Sequence, residues 1–166
     1  MTDVTICLTN PKSPTNVGGV MRAVGCFGAD KVLYTGNRYD IAKKFHTDTQ
    51  NISADIGLVH VDDFFAEKPK EVPLICIELV EGAIPLNEFN HPPKAFYLLG
   101  PEDSSVKQEW VDQADAVVYI PTKGSLNLAA TVNVLLYDRF SKSTQDIDHT
   151  SLIKQSRDVN NRLAVK

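Results

Sequence analysis

Cysteine is scarce in this chain: Cys7, Cys26 and Cys76 stand far apart, in or beside apolar segments, without the close pairing of a metal or redox motif. They read as buried thiols in a reducing compartment. The four histidines, His46, His60, His91 and His149, are also scattered, and none lies at helical spacing from another, so no metal motif is present. No apolar run approaches the length needed to span a membrane. Asp3 precedes a short apolar run at the N-terminus, which lacks the basic start and long apolar core of a signal peptide. These absences give a cytoplasmic protein as the expectation. Gly-x-Gly-x-x-Gly, a phosphate-loop lysine motif and a Gly-x-Ser-x-Gly elbow are missing as well, so the usual cofactor fingerprints do not apply.

What is there suits one domain over residues 1–166, with a polar C-terminal tail over 141–166: the chain is 43% hydrophobic and 23% charged, enough for a core. Its net charge is −4, but the charge is segregated. From Lys31 to His46 the bases Lys31, Arg38, Lys43 and Lys44 face one acid, Asp40. From Thr150 to Lys166 the bases Lys154, Arg157, Arg162 and Lys166 face Asp158 alone. The span from Asp48 to Asp115 holds fourteen acids and four bases. Such a distribution permits a basic surface on an acidic protein, although solvated charge runs without any partner are the commoner cause of it.

Short apolar runs at Val4 to Leu8, Val32 to Tyr34, Leu58 to Val61, Leu74 to Leu79, Ala95 to Leu99 and Ala116 to Ile120 read as strands covered on both faces. Helical stretches lie between them at Asn16 to Phe27, Asp62 to Glu67, Val106 to Gln113 and Leu126 to Phe140, with one short helix near Leu152 to Leu163. Glu67 to Pro73 and Asn87 to Lys94 read as loops. This alternation predicts an α/β fold with a mainly parallel sheet flanked by helices.

Three segments carry the chemistry. In the first helix Val17, Val20, Met21, Val24 and Phe27 form a core face, while Gly18, Gly19, Arg22 and Gly25 gather on another side. Each helical glycine costs roughly 1 kcal/mol relative to alanine, so the glycines serve either tight helix packing or close approach to a ligand. Pro14-Thr15-Asn16 before them makes a capping turn. The strand Ala95 to Leu99 runs into Gly100-Pro101-Glu102-Asp103-Ser104-Ser105, at the carboxyl edge where ligands of open α/β sheets bind. Glu102 is a carboxylate set by that turn, for a ligand or for the next helix start. Finally, Gly124-Ser125-Leu126-Asn127 opens into a helix that is apolar nearly all round, which asks for more cover than one sheet provides. Asn127 and Thr131 lie one turn apart at its start, as a cap or as the wall of a site.

Taken in order, the segments resemble the SpoU (TrmH-type) branch of the SPOUT RNA methyltransferases. Pro14-Thr15-Asn16-Val17-Gly18-Gly19-Val20-Met21-Arg22 is similar to the first motif of that family, Leu99-Gly100-Pro101-Glu102 to the second, and Ile120-Pro121 through Ser125-Leu126-Asn127 to the third. The resemblance covers Val4 to Phe140 and is to the minimal, single-domain members.

It implies a C-terminal deep trefoil knot, S-adenosylmethionine as methyl donor, a homodimer with sites near the subunit interface, and transfer of methyl to a ribose 2′-hydroxyl of tRNA or rRNA. The donor is expected against Gly100, Ile120, Ser125 and Leu126, with the loop holding Glu78, Leu79 and Gly82 closing over it. Arg22 is expected to anchor the neighbouring phosphate and stabilise the developing alkoxide, since a guanidinium does not give up its proton. Asn16 and Glu102 are expected to hold Arg22 and the ribose, and Ser125 and Asn127 to complete the polar wall. RNA is expected on Arg38, Lys43, Lys44, Lys154, Arg157 and Arg162, and neither a membrane nor a metal is. One departure stands out: the family commonly has a glycine after the glutamate, whereas here Glu102 is followed by Asp103-Ser104-Ser105-Val106, so a left-handed Ser105 would cost roughly 1–2 kcal/mol. Two alternatives compete with the enzyme: a noncatalytic RNA-binding knotted dimer, and an unrelated small α/β metabolite-binding protein.

Overall fold

The apolar runs assemble into one sheet because each has partners on both faces. The computed structural model of the protein describes residues 3–44, 57–143 and 147–165; His46, Asp48 and Lys166 of the charge pattern lie outside them. Strands β1 (Val4–Leu8), β2 (Lys31–Tyr34), β3 (Gly57–His60), β4 (Leu74–Ile77), β5 (Ile84–Pro85), β6 (Ala95–Leu99) and β7 (Ala116–Tyr119) form a seven-stranded sheet. Its order is β3-β2-β1-β6-β4-β7-β5, with every neighbouring pair parallel. Ile6 pairs with Val32 on one side and Tyr97 on the other, and Ile77 with Leu99, which brings the carboxyl ends of β1, β6 and β4 to one edge.

Alternate residues of the strands serve two cores. Ile6, Leu8, Ile75, Ile77, Tyr97 and Leu99 pack under helices α1 (Pro14–Phe27) and α5 (Leu128–Ser141). Cys7, Leu33, Leu74, Cys76, Phe96 and Leu98 face the other way, against Phe64 and Trp110 of α3 (Phe64–Glu67) and α4 (Gln108–Gln113). Burial pushes the Cys76 thiol up to about 12 and that of Cys7 further. Cys26 differs: it is exposed on α1, because its helical position turns away from the Val17, Val20, Met21, Val24 face.

The two long helices start and stop where side chains can satisfy their ends. Ser13 caps α1 by accepting from Asn16 N, Pro14 occupies the first turn, and Gly28 at φ 71° closes the helix with its N–H on Val24 O. Gly19 is needed where α1 meets α5: a Cβ there would lie 2.7 Å from that of Ala129. Nothing stands within 4 Å of such an atom at Gly18.

Several boundaries differ from expectation. Asp63 caps α3 through Phe65 N, so that helix begins at Phe64. The α4 helix begins only at Gln108, because Val106 N is held by Glu78 Oε2 at 2.9 Å. Three elements escaped the sequence altogether: α2 (Arg38–Lys43), whose one buried residue is Tyr39, the two-residue edge strand β5, and a 3-10 turn at Leu86–Glu88. The tail helix α6 runs His149–Ser156 rather than Leu152 to Leu163, since Asp148 accepts from Thr150 N and Ser151 N and fixes its start. Among the described residues no helix is long and apolar enough to cross a membrane.

Candidate active site

The carboxyl edge of the sheet opens into a cleft of 470 Å³ between the ends of β6, β4 and β7 and the start of α5. Its floor and sides are mixed. Ile77, Leu99, Ile120, Leu126 and Leu128 supply apolar surface, while Asn16, Glu102, Ser104, Ser125, Asn127 and Thr131 supply polar groups. Such a mixed lining, with polar groups set among apolar ones, suits a small organic ligand that carries polar groups of its own.

Glu102 organises one wall. Its Oε2 accepts from Lys12 N at 2.8 Å, and its Oε1 from Ser13 N at 3.0 Å and Asn16 Nδ2 at 3.1 Å. Burial alone would raise its carboxyl, but these hydrogen bonds outweigh burial and hold it below the usual carboxylate range. A charged carboxylate is thereby fixed beside Asn16, joining the segment after β6 to the entry of α1. The expected strain is absent. Asn10, at φ 43°, is the one non-glycine residue with positive φ among the described residues, so Ser105 does not take a left-handed conformation. Gly100 likewise has no positive φ; its small size is what matters, since a Cβ would meet Val106 Cγ2 and N at 3.2 Å.

Across the cleft, Asn127 Oδ1 accepts from Ala130 N at 2.7 Å, while its carbonyl receives Thr131 N and Oγ1. The residue is a helix cap and a lining group at once, which satisfies both readings of the sequence. Glu78 also lines the cleft, with Oε1 on its own loop at Leu79 N (2.9 Å) and Oε2 on Val106 N. Leu79 is 60% exposed at the rim.

Of the site residues expected from sequence, Asn16, Glu78, Leu79, Gly100, Glu102, Ile120, Ser125, Leu126 and Asn127 border this one cleft. Gly82 and Arg22 do not. Gly82 sits in an exposed turn at φ 85°. Arg22 is exposed on α1 and makes no hydrogen bond or ion pair among the described residues. Tyr119 and Thr122 line the cleft unanticipated; adjacency to Ile120 at the end of β7 was the available signal.

The basic residues separate into two groups. Lys43, Lys44, Lys154, Arg157 and Arg162 are exposed, whereas Arg38 is engaged: it donates from Nη1 to both oxygens of Asp103 (3.0 and 2.9 Å) and from Nε and Nη2 to Asn10 O (3.1 and 2.8 Å).

Known proteins are similar to this chain in sequence and in fold. The tRNA (cytidine-2′-O-)-methyltransferase TrmJ of Methanocaldococcus jannaschii is 24% identical over 165 residues, which covers 86% of this chain and 70% of that protein. The 23S rRNA (uridine(2479)-2′-O)-methyltransferase of Streptomyces viridochromogenes is 24% identical over 146 residues, 80% of this chain and 50% of its own length. The chain thus spans half of that second enzyme. A solved structure from work on the 2-OH methylation of C/U34 on tRNA shares the fold with a TM-score of 0.71 at 22% identity, covering 83% of this chain and 89% of that one. The SpoU rRNA Methylase family itself matches residues 3–137. That match runs from the start of β1 into α5 and takes in every segment that borders the cleft, and the chain belongs to the SpoU rRNA Methylase family.

Proposed function

We propose that the protein is an RNA methyltransferase that transfers a methyl group from S-adenosylmethionine to a ribose 2′-hydroxyl of tRNA or rRNA. The observation that carries this reading is the meeting of Asn16, Glu102, Ser125 and Asn127 around one cleft at the carboxyl edge of a parallel sheet. The cleft fits the donor in size and lining: 470 Å³ lies inside the roughly 300–1,000 Å³ range of small-molecule sites, and the polar Asn16, Ser125 and Asn127 stand beside the apolar Ile77, Ile120 and Leu126. When bound, the donor supplies an electrophilic methyl group on a sulfonium.

The chain's own residues then have orienting work to do. The loop of Glu78 and Leu79 and the turn at Ser125 and Leu126 would enclose the donor, while the Glu102–Asn16 pair fixes the ribose against it, since in-line placement is a large part of the rate of such a transfer. Arg22 would hold the adjacent phosphate and stabilise the alkoxide, with the proton leaving to phosphate or water. Because Arg22 stands clear of the cleft on its own subunit, this reading gives it to the cleft of a second subunit. Tyr137, Val134 and the half-buried Phe27, apolar surface left uncovered on α5 and α1, support a homodimer. Hydrogen bonds from Arg139 to Pro92 O and from Lys142 to Leu86 O, which wrap the segment after β5 around the end of α5, support the knotted arrangement of the family. In this reading the methyltransferase domain is the chain itself, with residues 141–166 as a basic tail for RNA.

Transfer of labelled methyl from S-adenosylmethionine to bulk tRNA and rRNA, followed by mapping of 2′-O-methyl positions, tests the proposal. Donor at about 100 times its Kd should raise stability by roughly 2.7 kcal/mol. The absence of both methyl transfer and a thermal shift would refute it.

A further inference from the structure

Resting on that reading, we propose that Arg38 and Asp103 form a positioning pair that sets Glu102 and the entry of α1 for methyl transfer, and that Arg38 is not an RNA contact.

The segment between β1 and α1 is gripped by two consecutive carboxylates. Glu102 takes the N–H groups of Lys12 and Ser13, and Asp103 sits beside the Lys12 ammonium at 3.7 Å. The Arg38 guanidinium bridges Asp103 to the carbonyl of Asn10, within the same segment. All three of its nitrogens are spent on these two acceptors, in the planar fork that suits a carboxylate. Asn10 is itself over-determined. Its left-handed φ of 43° is held by Thr35 Oγ1 on its N–H and by the turn at Gly36, where a Cβ would fall 2.2 Å from Asn10 Oδ1. Backbone strain of this kind persists only where the surroundings impose it.

The geometry therefore runs as a strut from α2 through Arg38 to Asp103, one peptide from the carboxylate that holds Asn16. With its donors occupied and its charge balanced by Asp103, Arg38 presents little to a phosphate, unlike the exposed Lys43 and Lys44 at the other end of the helix.

Three measurements on Arg38→Ala, Arg38→Lys and Asp103→Ala test the pair, with thermal melts to confirm folding. The Glu102 carboxyl, followed by 13C NMR titration, should move up towards the ordinary carboxylate range in Arg38→Ala and Asp103→Ala, because the amides of Lys12 and Ser13 are released. In turnover assays kcat should fall at least 10-fold in both, with the donor KM changing less than threefold. Arg38→Lys should restore little, since an ammonium cannot span both acceptors. The slope of log Kd for RNA against log salt should match wild type. A Glu102 titration identical to wild type in both alanine variants would overturn the pair, as would a salt slope in Arg38→Ala reduced by about one, the signature of a lost phosphate contact. If wild-type protein transfers no methyl while the Glu102 titration shifts as described, the methyltransferase reading fails and the strut stands.

Discussion

Glu102 shows how a single side chain can serve fold and chemistry together. Its carboxylate is the acceptor for two backbone N–H groups and one amide, and these hold its folded value below that of the unfolded chain. The sign follows: in the window between the two values the unfolded chain binds more protons, so its contribution is present above the unfolded value and is lost as pH falls through the folded one. Glu102→Gln should therefore flatten the acid limb of a stability-versus-pH curve measured by urea denaturation. It should also cost about 1–3 kcal/mol at neutral pH, because one of the donors loses its acceptor. Arg22→Ala makes the complementary test: methyl transfer should be abolished while the thermal shift by S-adenosylmethionine persists. Normal turnover in that variant would remove Arg22 from the proposed mechanism.

At the scale of elements, the contact of α1 with α5 decides what the glycines of the first motif are for. Gly19 abuts Ala129, whereas Gly18 looks into open space. Gly19→Ala should force the helices apart and cost about 1–3 kcal/mol. Gly18→Ala should instead stabilise by up to about 1 kcal/mol through helix propensity. Equal effects in chemical denaturation would contradict this assignment. The α5 helix carries a buried stripe of Leu128, Val132, Leu135 and Leu136 and leaves Val134 and Tyr137 on its far side. Its apolar character was legible in the sequence; which residues the monomer would leave uncovered was not, because that depends on where α1 lies. The α2 helix was illegible for a related reason: with one buried residue it has no periodicity to read, and its role lies in the Arg38 side chain.

The whole molecule is closed at the opposite edge of the sheet by a polar clamp. His91 Nδ1 meets Tyr97 Oη at 2.6 Å and its Nε2 meets Asp138 Oδ2 at 2.9 Å, while Lys142 reaches the same Asp138 oxygen at 2.7 Å. Burial lowers the His91 pKa, against the opposing pull of Asp138, so the fold prefers the neutral ring. Stability should consequently fall as pH drops from the ordinary histidine range towards that lowered value, and His91→Gln should remove this component; coincident curves would exclude the clamp. A homodimer joined through α1 and α5 predicts that Tyr137→Glu yields monomer in sedimentation. RNA affinity carried by Lys43, Lys44 and the tail should weaken steeply with salt.

By itself the sequence determined six of the seven strands of a mainly parallel sheet and three motifs on their edges, because strands buried on both faces and turns of fixed composition leave local signatures. It also supplied Asn16, Glu102, Ser125 and Asn127 as candidates, joined in one site only by the family resemblance and not by any local pattern. Only the tertiary structure decided that β6 inserts between β1 and β4, and so carries Glu102 to the entry of α1 some ninety residues earlier in the chain. It alone turned Arg38 from a surface charge into the partner of Asp103, and set Arg22 apart from the cleft it was expected to serve. Pairings across such separations depend on strand order and on the directions of side chains, and neither is written in a local pattern of residues.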